Sequence, residues 1–401
     1  MLSSYGRILR VPGGLRFSLA GLFGRLPISM LGLGIVLLVE AATGSYGFAG
    51  SVTACYFAAN AGFSLLQGRL LDRVGQARVL VPVVVVFALA TVVLVVSIQA
   101  DWPRWTSWLL AAVAGAGLPT AGTCVRARWS WALRGRPRDL QTAYALEAVV
   151  DESVFILGPI LVTVLATTLD PVVGLATAVV AGVAGTLALA AQRATEPPPA
   201  PPPTRGSVRP PLPWRTLVPL LAVQLALGCL FGAAEVVTVA FADEQGSQAY
   251  AGPLLAVYAL GSLLAGVISG AINWRRGPDV RVRWGAFGMC LAMAPLPLIG
   301  SVPLMGLALL LGGFAIAPTL IGSVSLTERT VPPSRLTEGM ALVHTGLVAG
   351  VAPGATLAGV VVDRSGSSAA FLVLFGAGTV AALAAQLLPR RAPTRETVAA
   401  T

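Results

Sequence analysis

Long apolar runs alternate with short polar gaps along almost the whole chain of 401 residues. Most runs reach about 20 residues, which is the length a helix needs to cross ~30 Å of hydrocarbon at 1.5 Å per residue. The pattern predicts an all-α membrane protein. Twelve transmembrane helices are expected, at 26–44, 48–67, 79–99, 106–127, 141–167, 172–192, 216–240, 250–272, 284–301, 303–326, 339–362 and 368–388.

One polar gap is much longer than the others and divides the predicted spans six and six. Residues 193–213 are rich in proline and contain several arginines. Such a segment has nothing to bury and forms an extended, semi-rigid spacer. We therefore expect an N-terminal six-helix bundle at 1–192, a proline-rich cytoplasmic linker at 193–213, and a C-terminal six-helix bundle at 214–401.

The two predicted bundles share part of their sequence. A constant shift along the chain aligns Tyr56 with Tyr258 and, without a gap, Gly75 with Gly277. The second copy has a tryptophan where the first has Asp72, so this acidic residue belongs to the N-terminal copy alone. Internal repeats of this kind place the substrate site of a transporter near the midplane, between the repeats.

The composition excludes an ordinary soluble domain and changes how the net charge is interpreted. Mean hydropathy is +0.81 and only 11% of the residues are charged, against about 25% in soluble domains. The net charge is +10, and all 27 basic residues are arginine. With a cytoplasmic N-terminus, all of them except Arg104 and Arg364 fall at the cytoplasmic side, as the positive-inside rule requires. We expect a multi-pass protein of a bacterial inner membrane with both termini cytoplasmic, and no nucleic-acid partner.

The gap between the second and third runs is short and highly charged. It reads Gly68-Arg-Leu-Leu-Asp72-Arg73-Val-Gly75-Gln-Ala-Arg78. Bounded by two spans, it resembles the major facilitator superfamily of secondary transporters, which has Gly-x-x-x-Asp-(Arg/Lys)-x-Gly-(Arg/Lys)-x-(Arg/Lys) at this place. Gln76 departs from that pattern, because the family has a basic residue there.

The resemblance implies a fold and a role for this loop. It implies two pseudo-symmetric six-helix bundles around a central cavity, which open alternately to the two sides of the membrane. It also implies that Asp72, with Arg73 and Arg78, holds a gate on the cytoplasmic side. The alternative is that these charges only fix topology and cap helix ends.

The fifth predicted span contains three acidic residues, Glu147, Asp151 and Glu152. Glu147 and Asp151 share a helix face because they are four residues apart, and Asp151 lies ~15 Å into its helix. Carboxyl groups at this depth are costly unless they are protonated, paired or hydrated. Arg126, at the end of the fourth span, and Arg128, just after it, are the expected partners. The cluster is either a static ion pair or the group that couples protons to transport, with Asp151 as the first choice.

Gly158 and Pro159 follow the acids in the same span and predict a helix kink. They resemble the Gly-Pro pair in the fifth helix of antiporters of the superfamily, although the Gly-Gly that follows in those proteins is absent here. The resemblance implies proton-coupled efflux of a small solute. An uptake symporter of a small metabolite stays open because importers share the first-loop motif. A non-transporting receptor or assembly protein on the same scaffold is a further alternative, against which the buried acids argue.

Three other titratable residues lie inside apolar runs. Glu235 is near the middle of the seventh span, and we expect it to face the cavity. Glu40 is close to an outer loop, so it either faces the cavity or snorkels to the membrane interface. His344 is the single histidine and is either a proton relay or a packing residue.

The remaining motifs favour transport without a cofactor. The sequence contains no metal-ligand cluster, nucleophile–base pattern or phosphate-binding loop. We therefore expect neither an enzyme nor an ATP-driven pump, and no metal or other cofactor. The expected partners are a small-molecule substrate, protons and the lipid bilayer, and the expected state is a monomer.

Overall fold

The computed structural model describes residues 2–199, 211–271, 277–332 and 335–389. Within these ranges the chain is helical and has no strand. Its α-helices are α1 Leu2–Leu9, α2 Gly14–Thr43, α3 Tyr46–Val74, α4 Gln76–Gln99, α5 Arg104–Ala116, α6 Ala121–Ala132, α7 Pro137–Thr168, α8 Pro171–Ala191, α9 Trp214–Glu244, α10 Ala251–Ala271, α11 Pro278–Met293, α12 Val302–Gly313, α13 Ile316–Thr330 and α14 Leu336–Gln386.

Nine helical stretches in the described ranges are long and apolar enough to cross a membrane. The helices α5 and α6 together make one stretch, and α12 and α13 make another. The long α14 counts once, although its backbone breaks at Gly366, where φ is 78°. The predicted class of all-helical membrane protein is confirmed, and the count of twelve spans stays a prediction.

The first span begins earlier than the hydropathy pattern indicates. The predicted run starts at residue 26, whereas α2 starts at Gly14 and carries Arg25 within its helical part. The predicted span starts just after Arg25, because a hydropathy pattern treats an arginine as the limit of an apolar run. A buried partner for that arginine lets the helix continue through it, because a paired charge costs far less to bury.

The charged loop between the second and third predicted spans is nearly all helix. The helix α3 continues to Val74 and α4 begins at Gln76, so Gly75 alone separates them. Its φ of 100° is a conformation that side chains with a Cβ rarely adopt. Asp72 therefore lies in the last turn of α3 and Arg78 in the first turn of α4.

One compact unit of the molecule comprises Met1–Ala42 and Ala59–Pro203. In it, α4 packs on α5 and α8, and α7 packs on α8, α6 and α1. Phe17 and Trp129 meet edge to face in its core, with ring centroids 4.5 Å apart. At Gly185 a Cβ would collide with the backbone of α2, so the glycine allows α8 to approach α2 closely.

The other unit comprises Thr43–Ala58 and Thr204–Thr401. Its longest contact runs between α9 and α14, where Gly228 and Gly354 lie against the backbone of the opposite helix. Small residues let membrane helices approach closely, and the packing that results holds them together. The helix α11 packs on α13 and α14, and α10 packs on α12.

The start of α3 is tied to α14 inside this second unit. Asp363 accepts hydrogen bonds from the backbone N–H groups of Tyr46 (2.8 Å) and Gly47 (2.7 Å) and from Ser45 Oγ (2.8 Å). It therefore caps the N-terminus of α3 from another helix, which satisfies free N–H groups and favours its negative charge. Glu244 caps the part of α14 that follows the break at Gly366, since its Oε1 accepts a hydrogen bond from Ser367 N at 2.7 Å.

The predicted domain boundaries stay a prediction. Of the expected linker, residues 193–199 and 211–213 are described, and 200–210 lie outside the described residues. Arg193–Thr195 forms a short 3-10 helix within the first unit. Trp274, which the sequence repeat places opposite Asp72, also lies outside the described residues.

Candidate functional site

A buried polar cluster surrounds Glu147 in the first unit. The Glu147 side chain is 0% exposed, and its Oε1 accepts from Ser18 Oγ (2.5 Å) and Trp129 Nε1 (2.8 Å). Its Oε2 forms an ion pair with Arg25, which is 6% exposed. Both carboxylate oxygens are thus satisfied, as a buried charge requires.

Asp151, one helical turn further along α7, extends the cluster to a second arginine. Its Oδ1 accepts from Arg25 Nη1 at 2.7 Å, and its Oδ2 forms an ion pair with Arg126. Two carboxylates and two arginines therefore alternate in a chain without net charge. The predicted pairing of an α7 acid with Arg126 is present in the structure, and the partner of Glu147 is Arg25.

The expectation that Arg128 pairs with the α7 acids is wrong. Its guanidinium donates to Gln76 Oε1 (2.8 Å), to Thr195 Oγ1 (2.8 Å) and to the carbonyl oxygens of Leu189 and Gln192 (both 2.9 Å). Helix residues that are two positions apart differ by about 200° in direction, so Arg126 and Arg128 point to different sides of α6. The sequence did not predict the direction in which Arg128 points from the helix axis.

The same contacts give a reason for the departure at Gln76 from the family pattern. Gln76 accepts from the buried Arg128 and donates through Nε2 to the Cys124 carbonyl at 3.2 Å. A basic residue there would face Arg128 with like charge and offer no acceptor. Glu196 completes this region by accepting from Ala77 N at 3.1 Å, which caps α4.

The charged residues of the first-loop motif lie on the surface of the unit. The side chains of Asp72, Arg73 and Arg78 are exposed, and in the described part of the chain Asp72 takes part in no ion pair. Gly68 lies inside α3, with open space around it. The gating role of these residues stays a proposal.

Gly158 allows a close approach of α7 to α2. A Cβ at this position would collide with Ser29. Pro159 follows inside α7, which continues as a single helix to Thr168. The Gly-Pro pair thus lies where α7 packs on α2, two helical turns from Asp151.

Glu235 in α9 differs from Glu147 and Asp151 because it forms no ion pair with any described residue. Its Oε2 is buried and has no hydrogen-bond partner among the described residues. The same holds for the hydroxyls of Tyr56 and Tyr258, the two tyrosines that the sequence repeat aligns. Tyr56 is within electrostatic reach of Glu235, and Tyr258 packs against Phe231 at 6.5 Å between ring centroids. Buried polar atoms left without a partner in the protein suit a ligand or water.

The other predicted candidates differ in how far their side chains are exposed. Glu152 is half-buried on α7 and forms no ion pair within the described ranges. Glu40 is half-buried near the end of α2, and His344 is exposed on α14. Nowhere in the described chain do three or more His, Cys, Asp or Glu residues group in a way that could hold a metal ion.

Sequence reasoning missed Arg25, Ser18 and Trp129. A signal for Arg25 was present, since the stretch from Gly14 to Arg25 contains no proline and joins the first apolar run directly. Extending the predicted helix through it would have placed an arginine inside the N-terminal bundle. Nothing in the local sequence marks Ser18 or Trp129 as ligands of an acid more than 15 residues away.

Comparison with known proteins bears on the family and the fold. The family model of the Major Facilitator Superfamily matches residues 17–311, and no curated protein sequence matches significantly. Among solved structures, a mutant of the nucleoside transporter NupG is 14% identical, with 93% of this chain and 98% of that chain covered and a TM-score of 0.71. A mutant of the peptide transporter POT in complex with alafosfalin is 14% identical, covers 94% and 93%, and has a TM-score of 0.73.

A POT family transporter in complex with 5-aminolevulinic acid is 11% identical, covers 94% and 95%, and has a TM-score of 0.72. At these identities the likeness concerns the fold. The family model covers most of the chain and agrees with the first-loop motif. The chain therefore belongs to the major facilitator superfamily and is a membrane transporter, not an enzyme.

Proposed function

We propose that this protein is a secondary active transporter that exchanges protons for a small solute leaving the cell. The observation that carries the proposal is the buried Oε2 of Glu235, which has no hydrogen-bond partner among the described residues; the same is true of the hydroxyls of Tyr56 and Tyr258 in the same unit. A group of this kind can take up a proton and donate a hydrogen bond to a substrate.

Glu235 is better suited to carry a proton than the acids of α7. Both oxygens of Asp151 contact arginines, so its carboxylate is already paired within the protein. Glu235 has no ion pair within the described residues, and it lies nine residues from the end of α9, about 14 Å along the helix. A charge there is costly, so the protonated form is the cheaper one until water or substrate reaches the site.

Export is the proposed direction. It rests on the resemblance of the first-loop motif and of Gly158-Pro159 to proton-coupled efflux members. Uptake of a small metabolite is the second candidate, supported by structural neighbours that are named as nucleoside and peptide transporters. A protonatable carboxyl can serve either direction, because antiport requires proton and solute to occupy the site in turn and symport requires them to occupy it together.

Transport in inside-out vesicles separates the two candidates. Purified protein would be reconstituted in one orientation, an acid-inside pH gradient imposed, and a solute panel offered together with a dye that reports lumenal pH. Solute accumulation with alkalinisation of the lumen supports proton-coupled export. Accumulation with the opposite pH gradient supports uptake, and no solute-dependent proton movement with any substrate that is transported contradicts proton coupling.

The topology belongs to the same proposal. We propose a monomer in the inner membrane of a bacterium with both termini cytoplasmic, because the arginines of the short gaps obey the positive-inside rule in that orientation. Labelling single cysteines at the exposed ends of α3 and α4 from each side of the membrane tests the orientation. Labelling of Arg78→Cys from the outside would reverse it.

A further inference from the structure

A cavity of about 590 Å³ in the first unit is lined by an unusual number of arginines. Arg7 comes from α1 and Arg10 from the turn after it, whereas Arg134 and Arg136 come from the connection between α6 and α7. The cavity is closed on another side by Thr195 of the short helix Arg193–Thr195. This four-arginine cavity is separate from the Glu147 cluster and from Glu235.

The positive charges of the cavity are only partly balanced. Arg7 forms an exposed ion pair with Asp139 at 3.5 Å. The Arg134 guanidinium stacks on the Trp131 ring, 3.3 Å from its centroid. Within the described ranges, neither Arg10 nor Arg136 forms an ion pair. One carboxylate therefore faces four arginines, and an excess of positive charge is left in a concave site.

The fold holds these arginines near each other in spite of their repulsion. Gly135 has a φ of 80° and makes the turn that brings Arg134 and Arg136 to the same cavity. The opposite wall is fixed by the buried Arg128, which donates to Thr195 Oγ1 at 2.8 Å. Like charges gathered at a concave surface attract an anion, and the attraction falls with added salt because these side chains are exposed.

We propose that the four-arginine cavity binds a phosphate group, presented either by an anionic phospholipid headgroup or as free phosphate. The planar guanidinium matches the oxygens of a phosphate with paired hydrogen bonds. Trp131 adds the kind of amphipathic ring that lies at the headgroup level of a membrane. Basic pockets among membrane helices on the cytoplasmic side are suited to phosphate headgroups.

Binding to the intact protein in nanodiscs tests the proposal. Thermal midpoints and headgroup affinities would be compared in pure phosphatidylcholine, in phosphatidylcholine with phosphatidylglycerol, and in phosphatidylcholine with inorganic phosphate at matched ionic strength. We expect the anionic lipid or the phosphate to raise the midpoint, and the component that does so identifies the source. The double variant Arg10→Gln/Arg136→Gln should weaken that binding about 30-fold, from ~1 kcal/mol per arginine near an anionic surface.

The matched control is Arg16→Gln/Arg215→Gln, which removes two exposed arginines outside the cavity. Its effect should stay under about threefold, because these two arginines do not line the cavity and each acts alone as a screened charge. An equal loss in both double variants would overturn the proposal in favour of diffuse surface attraction. The absence of stabilisation by both phosphatidylglycerol and phosphate would overturn it as well.

Discussion

Replacing Glu147 by glutamine should destabilise the protein strongly, because it leaves Arg25 partly uncompensated in the interior. Arg25 is 6% exposed and Glu147 0%, so water cannot take over the lost partner. Breaking a buried ion pair from one side costs about 3–5 kcal/mol. Asp151 still contacts Arg25 at 2.7 Å, which favours the lower end, about 3 kcal/mol.

Reversible unfolding in mixed micelles measures this loss, with tryptophan fluorescence as the signal. The chain has eight tryptophans, so this signal reports unfolding of the whole protein. Asp139→Asn is the matched control on the same helix, since Asp139 pairs with the exposed Arg7. That control should cost less than about 1 kcal/mol.

Equal small losses in Glu147→Gln and Asp139→Asn would refute the reasoning. That result would mean that Arg25 reaches water or another anion when Glu147 is neutral. The cluster would then be a solvated surface network and not the element that joins α2, α6 and α7.

Three further predictions follow from the first loop, the α3 cap and the linker. Asp72→Asn should lower transport while the amount of inserted protein, measured by immunoblot of membranes, stays constant; unchanged transport would remove the gating role. Asp363→Ala should speed amide hydrogen exchange at residues 46–50 about fivefold, from a cap worth ~1 kcal/mol, and unaltered exchange would contradict the cap. Replacing residues 200–210 by a flexible segment of equal span should preserve transport, since a proline-rich spacer maintains reach, and a large loss would indicate a binding role.

The helical class was predictable because hydrocarbon thickness fixes the length of an apolar run. The start of the first span could not be predicted. Arg25 interrupts the hydropathy pattern, and its partners come from α7, more than 100 residues away. A helix can carry an arginine inward only when the rest of the fold supplies the acid, and a local pattern holds no such information.

The candidate site divides in the same way. Arg126 was among the expected partners of the α7 acids, and the structure pairs it with Asp151. Direction was not readable, because the rotation of α6 about its axis depends on packing. Arg128 consequently turned out to bind Gln76 and the start of the linker.

Proton coupling through Glu235 is the central claim, and Glu235→Gln tests it most directly. The amide mimics the protonated acid but cannot release a proton. In proteoliposomes, the variant should retain downhill solute exchange and lose accumulation driven by a pH gradient. Asp170→Asn, an exposed cap of α8 that asparagine can also provide, is the control and should keep both. Undiminished accumulation with proton movement by Glu235→Gln would contradict the account.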